Sequence, residues 1–365
     1  MVASATMRAA VMRRQQIIVD QMAVPEPGPG QVLVKTLACG ICGSDLHMLR
    51  HGPRLAAAAD PGDRILQGMD FAHDVVMGHE FCAEIVDFGP DCQRRFKPGQ
   101  KVSSIPVMLG PGWRRTVGYS NEFAGGYGEF MLLQEALLLP ISDNLSADLA
   151  ALTEPMAVGL HAVEMARVAP GAVPLVIGCG PVGLAVIVAL KMKGLGPVLA
   201  ADFSPQRREL AIAMGADQVI DPAAHSPYDS WRQAAAVEGE APPAPALGPI
   251  PEALKPAVIF ECVGVPGVID QVMAGAPQLA RIVVVGVCME LDNFRPYRGI
   301  SKELNLQFVI GYSPDQFAAS LAMIDSGRLD LSPLITGRVG LDGVAGAFQD
   351  LASPDRHCKI MIHPA

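Results

Sequence analysis

A single apolar stretch constrains the fold of this chain more than any other feature. Residues 168–190 contain no charged side chain, and a bilayer span needs about 20 apolar residues, so hydropathy alone would mark a membrane helix. Three glycines, Gly178, Gly180 and Gly183, divide the stretch. The pattern predicts a strand over 175–177 before them and a helix over 182–192 after them. We therefore interpret the stretch as a strand, a glycine turn and a helix, and expect no membrane contact.

The glycine turn has the G-x-G-x-x-G pattern of a dinucleotide-binding site. In such a turn the first glycine permits the bend, the second admits the pyrophosphate, and the third lets the helix pack on the strand. Asp202 follows Gly183 by 19 residues, close to the expected spacing of about 20. An ordinary glycine turn in an α/β protein is the alternative. The predicted contacts to the pyrophosphate are Gly178, Gly180, Pro181, Val182 and Gly183, at a helix N-terminus.

Nearby charges bear on which dinucleotide binds. The Asp202 carboxylate can accept hydrogen bonds from both ribose hydroxyls of NAD and would repel the 2′-phosphate of NADP. Arg207 and Arg208 argue the other way, because an arginine can hold that phosphate. We expect NAD, with Asp202 and Arg207 at the ribose, and keep NADP as the alternative.

Composition narrows the class of protein. The chain has 365 residues, a net charge of -9, 50% hydrophobic residues and only 18% charged residues. This length predicts about two domains, and the acidic balance argues against nucleic-acid binding. The first 22 residues carry charges and no continuous apolar run, so we expect no signal peptide. Eight cysteines without a secretion signal predict free thiols and a cytoplasmic protein.

The predicted secondary structure changes in character along the chain. Up to about residue 150, short strands separated by turn residues (31–37, 84–88, 101–105, 129–133) predict an all-β, barrel-like unit. Beyond residue 154, strands (175–177, 198–201, 218–220, 258–261, 281–287) alternate with helices (182–192, 204–214, 268–274), which predicts a doubly wound parallel sheet. Residues 223–256 are rich in Ala and Pro and are expected to loop away from the sheet. The last 65 residues, with a helix over 315–326 and strands over 338–339 and 359–362, are expected to rejoin the first unit.

Three segments carry metal-ligand side chains. Cys39 and Cys42 form a C-x-x-C pair, and His79 and Glu80 are adjacent. Glu154 lies where the predicted alternation of strands and helices begins. No second C-x-x-C exists, so a closed four-cysteine zinc site is not available. One Cys, one His and one carboxylate would leave a coordination position open, as a catalytic zinc requires.

These motifs resemble the zinc-dependent medium-chain alcohol dehydrogenases, and most closely their polyol and threonine dehydrogenase branch. The resemblance covers nearly the whole chain in the right order. It is carried by Gly-Ile-Cys42-Gly-Ser44-Asp45-Leu-His47, Gly-His79-Glu80, Glu154-Pro-Met-Ala-Val-Gly-Leu-His161, Glu261-Cys-Val-Gly264, Arg-Ile-Val-Val-Val-Gly286, Ser-Lys302-Glu303-Leu and Lys359-Ile-Met-Ile.

The resemblance implies a fold and a set of roles. It implies a GroES-like catalytic domain over 1–163 and 299–365 and a Rossmann domain over 164–298. It implies hydride transfer between an alcohol and NAD. It also implies one catalytic zinc, no structural zinc, and a homodimer or homotetramer, for which the apolar segment 281–287 is a candidate edge. The implied residues are Cys42, His79 and Glu154 at zinc, Glu80 as an exchanging ligand, Ser44 and His47 for proton transfer, Asp45 beside the ligands, and Val263, Val285 and Val287 near the dinucleotide.

Several departures and alternatives stay open. The gap of 37 residues between Cys42 and His79 is longer than is usual in the family, and we expect a loop over 50–75 whose polar residues are solvated: His51, Arg54, Asp70 and His73. Trp113 and Arg114 are assigned either to the substrate pocket or to a surface lobe. Alternative functions are an NADP-dependent carbonyl reductase, an aldehyde-oxidising relative, and a nucleotide-binding protein without catalysis.

Overall fold

The computed structural model describes residues 5–59, 68–239, 252–353 and 355–364. The chain divides into two compact units. Unit 1 is Met1–Glu154 with Phe317–Ala365, and unit 2 is Pro155–Gln316. The predicted domain limits at 163 and 298 stay a prediction.

The first part of unit 1 is mostly β-structure, as expected. Its elements are β1 Thr6–Arg13, β2 Gln16–Ala23, β3 Gln31–Gly40, α1 Gly43–Ala58, β4 Glu80–Phe88, β5 Lys101–Ser104, β6 Val107–Gly110, β7 Trp113–Thr116, β8 Phe130–Gln134, β9 Leu138–Pro140 and α2 Ala147–Ala151. The loop predicted over 50–75 is wrong for its first part, because α1 continues through His51 and Arg54 to Ala58. Residues 60–67 lie outside the described part of the chain, and Asp70 and His73 are exposed and hydrogen-bonded to each other.

Unit 2 is the predicted doubly wound sheet. Its elements are α3 Thr153–Ala166, which begins in unit 1, β10 Val173–Ile177, α4 Pro181–Met192, β11 Leu199–Ala201, α5 Pro205–Ala213, β12 Gln218–Ile220, α6 Pro227–Ala235, β13 Ala257–Glu261, α7 Val268–Gly275, β14 Arg281–Val284, α8 Pro296–Lys302 and β15 Asn305–Phe308. The strand order is β12-β11-β10-β13-β14-β15, and every pair is parallel. Helices over a parallel sheet explain the long apolar runs, because such strands are buried on both faces.

The end of the chain returns to unit 1, as predicted. It forms α9 Pro314–Asp325, β16 Ile335–Val339, α10 Val344–Leu351 and β17 Lys359–Ile362. The seven-stranded sheet of unit 1 has the order β16-β17-β3-β4-β5-β9, with β8 also paired to β3. Gly40 at the end of β3 lies opposite Glu80 of β4 and Met361 of β17. Three distant parts of the sequence therefore meet at one end of β3.

Two further predictions in unit 2 are wrong. Residues 227–235 do not loop away: Ser226 caps α6, and Trp231 packs in the core with its indole N–H donating to the Val173 carbonyl. Capping and one buried aromatic outweigh the surrounding Ala/Pro composition. The segment 281–287 is not an edge, because β14 ends at Val284 and lies between β13 and β15. Residues 240–251 lie outside the described residues.

The membrane question has a direct answer for the described residues. Among them, no helix combines the length and the apolar character needed to cross a bilayer. The stretch 168–190 contains β10 and α4, joined by the glycine turn.

Candidate metal centre and nucleotide turn

The pairing of β3 with β4 assembles the predicted ligands. Cys42 follows β3 directly and precedes α1, while His79 and Glu80 stand at the start of β4. One ligand atom from each of these three residues lies within 4.8 Å of the others. This is the group of metal-ligating side chains that the structure brings together within its described ranges.

The chemistry of these groups fits a bound cation. His79 is buried, and its Nδ1 has no hydrogen-bond partner. Burial acts to lower the pKa of His79, but the charges of Asp45, Cys42 and Glu154 outweigh it and raise that pKa well above the ordinary value. Burial and the charge of Glu80 raise the pKa of the Cys42 thiol. One thiol, one imidazole and one carboxylate that converge in this way are ligand types of zinc, so the residues present fit that ion.

Asp45 organises the centre from the first turn of α1. Its buried carboxylate accepts hydrogen bonds from the Cys42 backbone N–H (3.0 Å), the Tyr127 hydroxyl (2.6 Å) and the Tyr119 hydroxyl (2.9 Å). Its Oδ1 also lies 3.5 Å from Nδ1 of His79. At this distance Asp45 acts on the ring by its charge and makes no hydrogen bond to Nδ1. Asp45 thus lies beside His79, and its supporting role stays a prediction.

Glu80 faces a counter-ion that the sequence analysis did not identify. Lys359 of β17 donates to both carboxylate oxygens, at 2.8 and 2.6 Å, and to the Ile41 carbonyl at 3.0 Å. The side chains are 2% and 1% exposed. Burial would lower the pKa of Lys359, but the Glu80 carboxylate outweighs it and raises that pKa. Glu80 is thus held by Lys359 while it stays within reach of Cys42 and His79.

The other predicted residues of this site lie close by. Ser44 is in the first turn of α1, and its Oγ lies 2.7 Å from the Tyr119 hydroxyl. His47 is on the same helix, with its ring centroid 6.1 Å from that of His51. Glu154, in the first turn of α3, is near enough for its charge to raise the pKa of His79. Coordination by Glu154 and proton transfer by Ser44 and His47 stay predictions.

The nucleotide turn has the backbone conformation that its glycines require. Gly178 has φ +91°, a region that side chains disfavour. A Cβ on Gly183 would collide with the Gly178 carbonyl oxygen, so helix and strand pack as the third glycine predicts. A Cβ on Gly180 would meet only the Arg207 guanidinium, at 3.8 Å. Helix α4 begins at Pro181, where a missing N–H costs nothing, and continues through Val182.

Asp202, Arg207 and Arg208 differ in how far their side chains are already hydrogen-bonded within the protein. Both oxygens of Asp202 accept backbone N–H groups, from Cys179 and Ser204, each at 2.8 Å. Arg208 donates to the carbonyls of Asp202 and Phe203 and pairs with Asp221, so it is committed to the fold. Arg207 lies 4.0 Å from Asp202, and its buried Nε has no hydrogen-bond partner. Arg207 is therefore the arginine with donor capacity left for a ligand.

The three predicted valines lie around the carboxyl ends of the central strands. Val285 and Val287 line a cavity of about 330 Å³ in unit 2. A Cβ on Gly178 would approach Cγ2 of Val263 to 2.8 Å, so Val263 borders the glycine turn. In an open α/β sheet, ligands bind at this edge.

Three functional candidates escaped the sequence analysis. Lys359 belongs to one of the family motifs but had no predicted role, although a lysine at the start of an otherwise apolar strand indicates a buried charge that needs a partner. Tyr119 and Tyr127 carried no spacing signal, because they follow β7 and precede β8, far in sequence from Asp45. Burial and the Asp45 carboxylate raise the pKa of both tyrosines well above the ordinary value, so both keep their protons.

Comparison with known proteins gives two domain matches. Residues 28–143 match the alcohol dehydrogenase GroES-like domain, and residues 181–326 match the zinc-binding dehydrogenase domain. The chain is 30% identical to (R,R)-butanediol dehydrogenase of Bacillus subtilis, over 98% of this chain and 100% of that protein. It is 28% identical to sorbitol dehydrogenase of Bos taurus, over 90% and 88%. The crystal structure of 2R,3R-butanediol dehydrogenase from Bacillus subtilis superimposes with a TM-score of 0.79 at 29% identity, covering 98% and 100%.

Proposed function

This chain belongs to the zinc-dependent medium-chain alcohol and polyol dehydrogenases, and from that premise we propose that it oxidises secondary alcohols of the vicinal-diol and polyol class with NAD. Two relatives named for butanediol and for sorbitol support this substrate class. The observation that carries this proposal is the group of Cys42, His79 and Glu80, whose ligand atoms lie within 4.8 Å of one another.

In this proposal each residue of unit 1 has a defined task. Cys42, His79 and Glu154 would hold one zinc ion per chain, and Glu80, which Lys359 holds nearby, would be the exchanging ligand. When bound, the zinc supplies a Lewis acid that lowers the pKa of an alcohol hydroxyl, and the nicotinamide supplies the hydride acceptor. Ser44 takes up the hydroxyl proton and releases a proton in turn, which His47 passes on to solvent. Asp45 holds the His79 imidazole in orientation.

The preference for NAD is part of the proposal. The Asp202 carboxylate would exchange its backbone donors for ribose hydroxyls, and its negative charge disfavours a 2′-phosphate. One observation favours NADP as a second candidate: Arg207 borders Gly180 with an unpartnered Nε. The cofactor therefore has to be measured together with the substrate.

We also propose that the chain forms a homo-oligomer in the cytoplasm. Strand β15 is an edge of the unit 2 sheet, and Phe308 and Ile310 beside it are 58% and 67% exposed. An exposed apolar edge strand is a template for pairing with a second copy. Eight free cysteines support a reducing compartment.

A substrate panel tests the activity. The holoenzyme is assayed with (R,R)-2,3-butanediol, sorbitol, 2-butanol and ethanol, each with NAD and with NADP, by absorbance of the reduced cofactor. We expect the highest kcat/KM with a vicinal diol and NAD. A preference for ethanol contradicts the substrate class, and a preference for NADP assigns the ribose contact to Arg207.

Two cysteine variants test the metal centre. Cys42→Ala is expected to lose zinc, measured per chain by mass spectrometry, and to lose turnover. Cys39→Ala is the matched control, because Cys39 is buried in β3 outside the ligand group, and it should keep both. Full turnover of Cys42→Ala without zinc would overturn the proposed mechanism.

A further inference from the structure

One buried carboxylate holds two tyrosines, and only one of them reaches the proton-accepting serine. The Tyr127 hydroxyl donates to Oδ2 of Asp45, and the Tyr119 hydroxyl lies 2.9 Å from Oδ1. Tyr119 also lies 2.7 Å from Oγ of Ser44, and its ring packs on His79 with the centroids 5.0 Å apart. Tyr119 therefore contacts the carboxylate, the serine and the imidazole at once.

The number of protons decides the direction of these hydrogen bonds. A tyrosine hydroxyl has one proton to donate and can also accept. The Asp45 carboxylate can only accept, and a hydrogen bond to an ionised acceptor is about twice as strong as one between neutral groups. Tyr119 therefore donates to Asp45. The short contact with Ser44 is then a bond in which Ser44 donates and the Tyr119 oxygen accepts.

We propose that Tyr119 is a positioning residue that keeps Ser44 a hydrogen-bond acceptor for the substrate hydroxyl. This inference rests on the role given to Ser44 under the proposed function. In the resting site the Ser44 proton points to Tyr119, so Ser44 presents lone pairs to an incoming alcohol; the Ser44 hydroxyl turns away from Tyr119 only when it releases a proton toward His47. The same tyrosine packs on His79, so the accepting oxygen is held at a constant position relative to a metal ligand. Without the hydroxyl, the Ser44 proton is free to turn toward the alcohol oxygen, and the side chain can change rotamer.

The chain supplies a matched pair of variants. Tyr119→Phe removes the hydroxyl that contacts Asp45 and Ser44, whereas Tyr127→Phe removes the hydroxyl that contacts Asp45 alone. Both tyrosines are buried, and both variants leave one buried oxygen of Asp45 with a partner fewer. A purely structural role predicts equal effects. The positioning role predicts that Ser44 responds to Tyr119→Phe only.

The expected result is a division between kcat and KM. Tyr119→Phe should lower kcat about tenfold, the value of one hydrogen bond, with KM for the alcohol changed less than about threefold. Zinc content per chain should equal that of the wild type. In the Ser44→Ala background, Tyr119→Phe should have almost no further effect on kcat, because the two residues act as one unit. Tyr127→Phe should have the same effect on kcat with and without Ser44.

The outcomes distinguish a failure of the role proposed for Ser44 from a failure of the role inferred for Tyr119. If Ser44→Ala keeps the wild-type kcat, the proposed role of Ser44 fails. If Ser44→Ala lowers kcat, two results overturn the inference about Tyr119. One is that Tyr119→Phe lowers kcat by the same factor in the Ser44→Ala background as in the wild type. The other is that Tyr119→Phe and Tyr127→Phe have the same effects on kcat in both backgrounds.

A measurement on the wild-type holoenzyme needs no variant to fold. A neutron structure locates deuterons directly. We expect the Tyr119 deuteron on the line to Asp45 and the Ser44 deuteron on the line to Tyr119. A Tyr119 deuteron directed at Ser44 would refute the proposal, even if the kinetics of the variants were inconclusive for reasons of stability.

Discussion

Lys359 and Glu80 form an ion pair from which water is almost completely excluded. Each side chain loses its hydration on folding, and this cost is offset by the two hydrogen bonds between them and by the bond from Lys359 to Ile41. Removing one partner leaves a buried charge without compensation, which is far more costly than removing both. Glu80 therefore depends on Lys359 for its position.

Lys359→Met tests this dependence, because it keeps the apolar stem and removes the ammonium group. We expect the free energy of unfolding, measured by urea denaturation, to fall by about 3–5 kcal/mol. Lys359→Met combined with Glu80→Gln should recover most of the loss. The control is Lys191→Met, which breaks the exposed pair with Asp217 and should cost less than about 1 kcal/mol. Equal losses of unfolding free energy in Lys359→Met and Lys191→Met would contradict a buried ionised pair.

At the scale of elements, the turn between β10 and α4 separates two roles of glycine. Gly183 is required for packing, since any Cβ would collide with the carbonyl oxygen of Gly178. Gly180 has no such neighbour: the nearest atom to its Cβ would be the end of a flexible arginine. Within the described residues nothing requires a glycine at position 180, so we infer that it serves the approach of a pyrophosphate.

Alanine substitution at the two glycines should give opposite results. Gly183→Ala should lower the melting temperature of the protein, because backbone atoms must move apart. Gly180→Ala should keep that temperature while weakening NAD binding, measured by calorimetry, by about tenfold or more. Unchanged NAD affinity in Gly180→Ala would mean that the cofactor does not approach this position.

At the scale of the whole molecule, unit 2 presents an apolar edge to its surroundings. Strand β15 has β14 on one side and no described strand on the other. Two apolar side chains at the end of this strand are largely exposed, Phe308 at 58% and Ile310 at 67%. Single exposed apolar residues are ordinary, but two of them at an unpaired strand support the association proposed above.

Phe308→Lys is expected to dissociate the oligomer proposed above. A lysine on an edge strand opposes pairing with a second copy by charge and by hydration. Light scattering should give a multiple of the 38.4 kDa chain mass for the wild type and half of that multiple or less for the variant. Leu109→Lys, at an exposed apolar position of unit 1, is the control and should keep the wild-type mass. A monomeric wild type would end the proposal.

Much of the architecture could be read from the residues alone because its signals are local. The alternation of strands and helices, the glycine turn, the cap at Ser204 and the ligand types at Cys42 and His79 all depend on neighbours within a few positions. Ser204 accepts from the Arg207 N–H, and Gly215 ends α5 with φ +104°, as their residue types predict. Helix α6 was missed because Pro and Ala suggested a loop where a serine cap and a buried tryptophan form a helix. The extension of α1 was missed because the long gap between Cys42 and His79 suggested an inserted loop.

The tertiary structure decided which side chains work together. Lys359 and Glu80 are 279 residues apart, and Tyr119 and Ser44 are 75 apart. The contact between Lys359 and Glu80 depends on the register in which β17, β3 and β4 pair, and strand register over such separations is set by the packing of the whole sheet. The contact between Tyr119 and Ser44 depends on how the segment after β7 packs on helix α1. The sequence by itself determined the two kinds of unit, the nucleotide turn and the metal ligand types. Only the tertiary structure determined the counter-ion of Glu80, the hydroxyl beside Ser44 and the strand at the edge of the unit 2 sheet, because each depends on how segments far apart in the sequence pack together.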